Sequence, residues 1–285
     1  MSGSEPAAGG TLPRWRSGTA ESGGETIYYE VTGDDRAAAV VLTHGAGGSH
    51  AAWYQQVPAL AAGGYRVVTW DSRGFGRSSY RSETHGCDAA AADITAVMDA
   101  LGIEAAHHVG QSMGGWWVTA FATQAPGRVR SLTLSNTVAG LWTDALLDHF
   151  QQLASGFTSD DPRLGIHPAI SRGLADRDPA QAFLYQQLNT FHDPPMAEVV
   201  VALWRTRVEP DALAALAVPL LVITGADDAL FPSRLVQESA SRVGGARLVE
   251  IAGAGHSPYF ERPAEYNALL LDFLGRVQGR EISSQ

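Results

Sequence analysis

Gly110-Gln111-Ser112-Met113-Gly114-Gly115 closes a short strand-like stretch, His107-His108-Val109-Gly110, and precedes a helix-compatible run from Trp116 to Ala125. The pentapeptide G-x-S-x-G at 110–114 says little alone, since a chain with 31 glycines yields it by chance in roughly a quarter of shuffled sequences. Its setting between strand and helix gives it meaning. A nucleophile elbow needs a tight, strained turn there, with small residues at both flanks so that the serine oxygen projects from the sheet edge. Ser112 then stands at the start of a helix, where negative charge is favoured, and the Met113 N–H becomes a candidate oxyanion donor.

Working outward, short apolar or β-rich runs recur at Thr26–Thr32, Val40–Thr43, Tyr65–Trp70, His107–Gly110, Val129–Leu134, Leu220–Thr224 and Ala246–Ile251. Helical patterns lie between them. Ile94, Val97, Met98 and Leu101 keep one helical face, and Tyr266, Leu270, Phe273, Leu274 and Val277 do so after Pro263. Strands that are apolar without alternation, separated by helices, predict a mostly parallel, doubly wound α/β sheet covered on both faces. The rhythm breaks from Val138 to Asp211, a stretch too long for a plain loop and rich in aromatics such as Trp142, Phe150, Tyr185 and Trp204. It reads as a helical cap over the carboxyl ends of the strands, where ligands of such folds bind. The organisation expected is a flexible N-terminal segment over 1–24, a core from 25–137 and 212–280, and the cap over 138–211.

A serine hydroxyl needs a base and the base needs an orienting carboxylate. Of nine histidines, His256 stands in Gly253-Ala254-Gly255-His256-Ser257-Pro258, a loop directly after a strand and so at the same sheet edge as the elbow. His107 and His108 are neighbours on a strand, point to opposite faces and make no metal pair. His50, His85, His149, His167 and His192 fall in loops or the cap. Asp227 and Asp228 both follow the strand 220–224, and the order Ser, Asp, His suits this type of sheet.

The chain resembles the α/β-hydrolase superfamily in its cap-bearing branch of esterases, lactonases, perhydrolases and carbon–carbon bond hydrolases. The likeness runs from about Thr26 to Val277. It rests on His44-Gly45-Ala46-Gly47-Gly48, Asp71-Ser72-Arg73-Gly74-Phe75-Gly76-Arg77-Ser78, the elbow, Gly225-Ala226-Asp227-Asp228 with Pro232, and Gly255-His256-Ser257, in the family's order. The resemblance implies Ser112, Asp228 and His256 as catalytic residues, Asp228 being preferred to Asp227 by its distance from the loop glycine. It implies the backbone N–H groups of Ala46 and Met113 as the oxyanion hole, and structural roles for Asp71 and Arg73. Relatives that open epoxides or remove halide carry aspartate at the elbow, so Ser112 argues against both. Peptidase relatives usually carry a proline in the oxyanion loop, which here is Ala-Gly-Gly. Ser135-Asn136-Thr137 is similar to a segment of the enol-lactonases.

The expected activity is hydrolysis of a carboxylic ester or lactone of a small apolar substrate through an acyl-enzyme. The alternatives are carbon–carbon cleavage of a vinylogous diketone, or a ligand receptor on the same fold. Trp116, Trp142 and Tyr259 are the expected substrate contacts. No metal or organic cofactor is implied: H-E-x-x-H and G-x-G-x-x-G are both absent. A net charge of −10 argues against a nucleic-acid partner. Cys87, the single cysteine, cannot form an internal disulfide and reads as a passive helix-start residue. With no apolar run of membrane-spanning length and no secretory signal, a cytoplasmic enzyme acting on a small molecule is expected.

Overall fold

A computed structural model of the chain describes residues 14–81, 85–156, 167–191 and 196–283. In chain order the elements are β1 (Trp15–Ser22), β2 (Glu25–Thr32), β3 (Ala39–Thr43), α1 (Gln56–Ala62), β4 (Arg66–Trp70), α2 (Cys87–Ala100), β5 (Ala106–Gln111), α3 (Met113–Gln124) and β6 (Val129–Ser135). Then come α4 (Asp144–Gly156), α5 (Arg172–Arg177), α6 (Pro179–Leu188), α7 (Met196–Arg205), α8 (Pro210–Ala214), β7 (Leu220–Gly225), α9 (Ser233–Ser241), β8 (Arg247–Ile251), α10 (Pro258–Glu261) and α11 (Pro263–Ser283). The eight strands form one sheet in the order β1-β2-β4-β3-β5-β6-β7-β8. β1 and β2 join antiparallel, and from β4 to β8 every pairing is parallel.

Successive strand residues turn to opposite faces, and here both faces are covered. Val40, Leu42, Val67, Val109, Leu221 and Ile223 pack with α1 and α11. Val41, Val68, Leu132, Leu134 and Val222 pack with α2, α3 and α9 on the other side. This double cover is why the central strands are apolar without alternation. His107 and His108 follow the same rule. The first meets Tyr65 and bonds Ser131 Oγ at 2.8 Å, and the second lies against Phe121, so they are on opposite faces as expected.

The lead-in differs from expectation. Residues 1–13 lie outside the described residues, but Trp15–Ser22 form strand β1, paired along its whole length with β2. Gly23 and Gly24, both at positive φ (57° and 81°), make the two-residue hairpin between them, a turn that needs such conformations at both positions. β1 is an edge strand, largely polar and exposed, so it lacks the apolar pattern that marks the inner strands. Between β6 and β7 the described part of 138–211 is helical, α4 to α8, with no strand. Its residues reach the loops at the carboxyl ends of the strands. Tyr185 Oη meets Ser257 Oγ at 2.7 Å, and Gln181 Nε2 donates to Phe260 O at 3.0 Å. Among the described residues no helix is long and apolar enough to cross a membrane.

Candidate active site

The sheet reverses its winding at β3. The chain leaves β3 for β4 on one side and, by way of α2, returns to β5 on the other. The loops that follow β3 and β5 therefore diverge and leave a crevice. Thr43 and Gly110 are in register at its floor.

At the end of β5 the chain turns through Ser112, at φ 49° and ψ −119°, directly into α3. A non-glycine residue held there costs about 1–3 kcal/mol and persists only where the surroundings enforce it. The enforcement is visible: the Ser112 N–H donates to Ser135 O at 2.9 Å, and the Gly115 N–H donates to Ser112 O at 2.8 Å. Gly110 and Gly114 permit the turn. A Cβ on Gly110 would lie 2.4 Å from Gly114 O, and one on Gly114 would lie 2.3 Å from Thr43 O.

His44 fixes the loop after β3. Its Nε2 accepts the Ser72 N–H at 3.0 Å, so Nδ1 carries the proton and donates to Gly45 O at 2.7 Å. Burial holds this imidazole below its ordinary pKa, which suits the neutral tautomer the bonds require. Two backbone donors at the crevice are unused: no acceptor among the described residues takes the N–H of Ala46 or of Met113.

Opposite the elbow, β7 and β8 bring in the other two side chains. His256, 3% exposed, donates from Nδ1 to Asp228 Oδ2 at 2.8 Å. The Asp228 carboxylate is fully engaged. Oδ1 accepts the N–H groups of Leu230 and Phe231 at 2.8 and 2.9 Å, and Oδ2 also accepts Asn136 Nδ2 at 2.9 Å. Asp227 is exposed, and its backbone N–H goes to Ala254 O at 2.8 Å. Of the two aspartates, only Asp228 pairs with the histidine. A carboxylate on Nδ1–H leaves the lone pair on Nε2, the tautomer a general base needs.

Other expected residues separate into two groups. Trp116 and Trp142 meet with their rings tilted and 6.0 Å apart, and Trp116 also meets Phe231, whose ring is 5.4 Å from His256. Phe150 closes this aromatic group, parallel to Phe231 at 5.9 Å and edge-on to Trp142. Tyr259 is not part of it. Its ring is buried with Trp53, Phe260 and Tyr266 in the cluster under α1 and α11. The short helix α10 turns it there although it stands three residues from His256. Asp71 and Arg73 serve structure: Asp71 accepts the His50 and Arg77 N–H groups, and Arg73 forks onto Asp93 at 2.8 Å twice. Cys87 starts α2, bonds Thr206 Oγ1, and burial pushes its thiol up to about 11, so it is not a reactive thiolate at neutral pH. His192 lies outside the described residues.

Three contributors were not legible as such. Gln111 Nε2 donates to His256 O at 3.1 Å across the crevice. Glu261, buried, accepts the Gly255 N–H at 2.9 Å, the Ser171 N–H at 3.1 Å and the Ser171 hydroxyl, so one carboxylate ties the histidine loop to the N-cap of α5. Asn136, noted only for likeness to another family's segment, touches the Asp228 carboxylate. Among the described residues no group of three or more His, Cys, Asp or Glu could hold a metal ion.

The profile of the alpha/beta hydrolase fold family matches residues 38–263. The chain is 27% identical to 3-oxoadipate enol-lactonase 1 of Acinetobacter baylyi, covering 90% of this chain and 95% of that one. It is 29% identical to a 2-hydroxy-6-oxononadienedioate/2-hydroxy-6-oxononatrienedioate hydrolase of Paraburkholderia phymatum, covering 88% and 91%. Among solved structures, the esterase RhEst1 from Rhodococcus sp. ECU1013 superposes with a TM-score of 0.78 at 24% identity, covering 92% of this chain and 99% of that one, a likeness of fold. With the elbow, the mostly parallel sheet and a family profile spanning its core, this chain belongs to the alpha/beta hydrolase family.

Proposed function

We propose that the protein hydrolyses a carboxylic ester or lactone of a small, uncharged, largely apolar substrate, with Ser112 as nucleophile, His256 as general base and acid, and Asp228 as its orienting carboxylate. The observation that carries this is the buried His256–Asp228 pair at the same sheet edge as the strained Ser112. In the first step Ser112 Oγ bonds to the carbonyl carbon while His256 Nε2 takes its proton. The carbonyl oxygen becomes an oxyanion, received by the unused N–H groups of Ala46 and Met113. Collapse breaks the bond to the alcohol, which leaves with the proton from His256. Water then repeats the sequence on the acyl-enzyme and releases the acid. Each oxyanion donor is worth about 2.7–4 kcal/mol in such a site.

The aromatic group of Trp116, Trp142, Phe150 and Phe231 beside His256 supports an apolar acyl or alkyl portion. The same machinery can cleave a carbon–carbon bond in a vinylogous diketone, a reading favoured by the dienedioate hydrolase relative. A panel of p-nitrophenyl esters of graded acyl size, lactones and a coloured dienoate ring-fission product separates the two. Turnover of the esters with preference for bulky acyl groups is expected. Equal rates on acetate and bulky esters would remove the apolar-substrate reading, and turnover of the dienoate alone would replace ester with carbon–carbon cleavage.

A further inference from the structure

We infer that Asn136 is a positioning residue that sets the orientation of the Asp228 carboxylate and joins it to the histidine loop, an assignment that rests on the proposed Ser112–His256–Asp228 triad. Asn136 directly follows β6, between the strand that ends in the elbow and the strand that leads to Asp228. Its Nδ2 donates to Asp228 Oδ2 at 2.9 Å and lies 3.3 Å from Gly255 O, the carbonyl just before His256. One amide group thus touches the acid and the loop that carries the base. The oxygen it bonds is the same Oδ2 that receives His256 Nδ1–H.

Two features of Asn136 oppose stability. The residue sits at φ 46°, in the left-handed region, which asparagine tolerates better than most side chains. It is fully buried, and its Oδ1 has no hydrogen-bond partner among the described residues. A buried amide with an unsatisfied end asks for an explanation other than packing. The bond to Asp228 supplies one. With Leu230 and Phe231 N–H groups on Oδ1, the Asn136 donor on Oδ2 completes a set that leaves the carboxylate one free direction, toward the imidazole.

Asn136→Gly tests this, because glycine accepts the backbone conformation while deleting the amide. The expected result is a folded protein with kcat for a p-nitrophenyl ester lowered about tenfold, the scale of a hydrogen bond to a charged group, and KM within about twofold. The acid limb of the kcat–pH profile should move to higher pH, since an Asp228 that has lost one donor holds the His256 proton more tightly. An unchanged kcat and pH profile in a folded Asn136→Gly protein would overturn the inference. So would a lower kcat with a lowered unfolding midpoint and an unmoved profile, which would mark a purely structural amide. Ser112→Ala, assayed alongside, separates the two claims. If it retains turnover the triad fails, and Asn136 loses this role with it. If it is inactive while Asn136→Gly is unaltered, only the present inference fails.

Discussion

Replacing Asp228 by asparagine exchanges one atom and should disable the site. The side-chain oxygen retained at the Oδ1 position can still accept the Leu230 and Phe231 N–H groups at 2.8 and 2.9 Å, so the loop should hold. At the Oδ2 position an NH2 would face two donors, Asn136 Nδ2 at 2.9 Å and His256 Nδ1–H at 2.8 Å. The imidazole relieves the clash by moving its proton to Nε2, leaving Nδ1 as acceptor. The lone pair that should take the Ser112 proton is then gone. The same exchange in a serine protease triad lowers kcat about 10⁴-fold, and at about 1.36 kcal/mol per factor of ten that is roughly 5.5 kcal/mol. Asp227→Asn, at an exposed position, should stay within about twofold of wild type. The assay is initial-rate hydrolysis of a p-nitrophenyl ester with folding checked by circular dichroism. An Asp228→Asn protein that retains more than about a tenth of wild-type kcat, or an Asp227→Asn protein equally impaired, refutes the reasoning.

Gly114→Ala drives a methyl to 2.3 Å from Thr43 O, and overpacking of this kind costs about 1–3 kcal/mol; denaturant unfolding should show the loss together with reduced turnover. Phe231→Ala opens the aromatic group at its contact with His256, so kcat/KM should fall on bulky acyl esters by about tenfold more than on acetate, the scale of a lost apolar contact. Burial pushes His107 and His108 down to about 4 and about 3. Both are neutral in the fold, while the unfolded chain protonates them below about 6.5. Their contribution is therefore whole above that value and lost as pH falls toward the folded pKa. By pH 5 each removes roughly 2 kcal/mol, and His108→Leu should flatten the fall in unfolding midpoint between pH 7 and 5. An equally steep fall in that variant would contradict it.

The inner strands could be read from sequence because their cover on both faces forces continuous apolar runs, as in Ala39–Thr43 and Leu220–Gly225. β1 escaped because an edge strand needs no such run; its signal was the Gly23-Gly24 turn between two β-compatible stretches. Ser112 and His256 were legible because each sits in a local pattern just after a strand. Gln111 and Asn136 were not, since their partners lie 145 and 92 residues away and no spacing rule reaches that far. Tyr259 shows the opposite error. Proximity in sequence to His256 suggested a substrate contact, while α10 turns the ring into the opposite cluster.

The most direct test of the central claim is covalent labelling with a fluorophosphonate, which reacts with activated serines, followed by peptide mapping. The expected result is one adduct, on Ser112, formed rapidly by wild type and absent from Ser112→Ala and His256→Ala. An unlabelled wild-type protein that still hydrolyses esters, or an adduct on another residue, would contradict it.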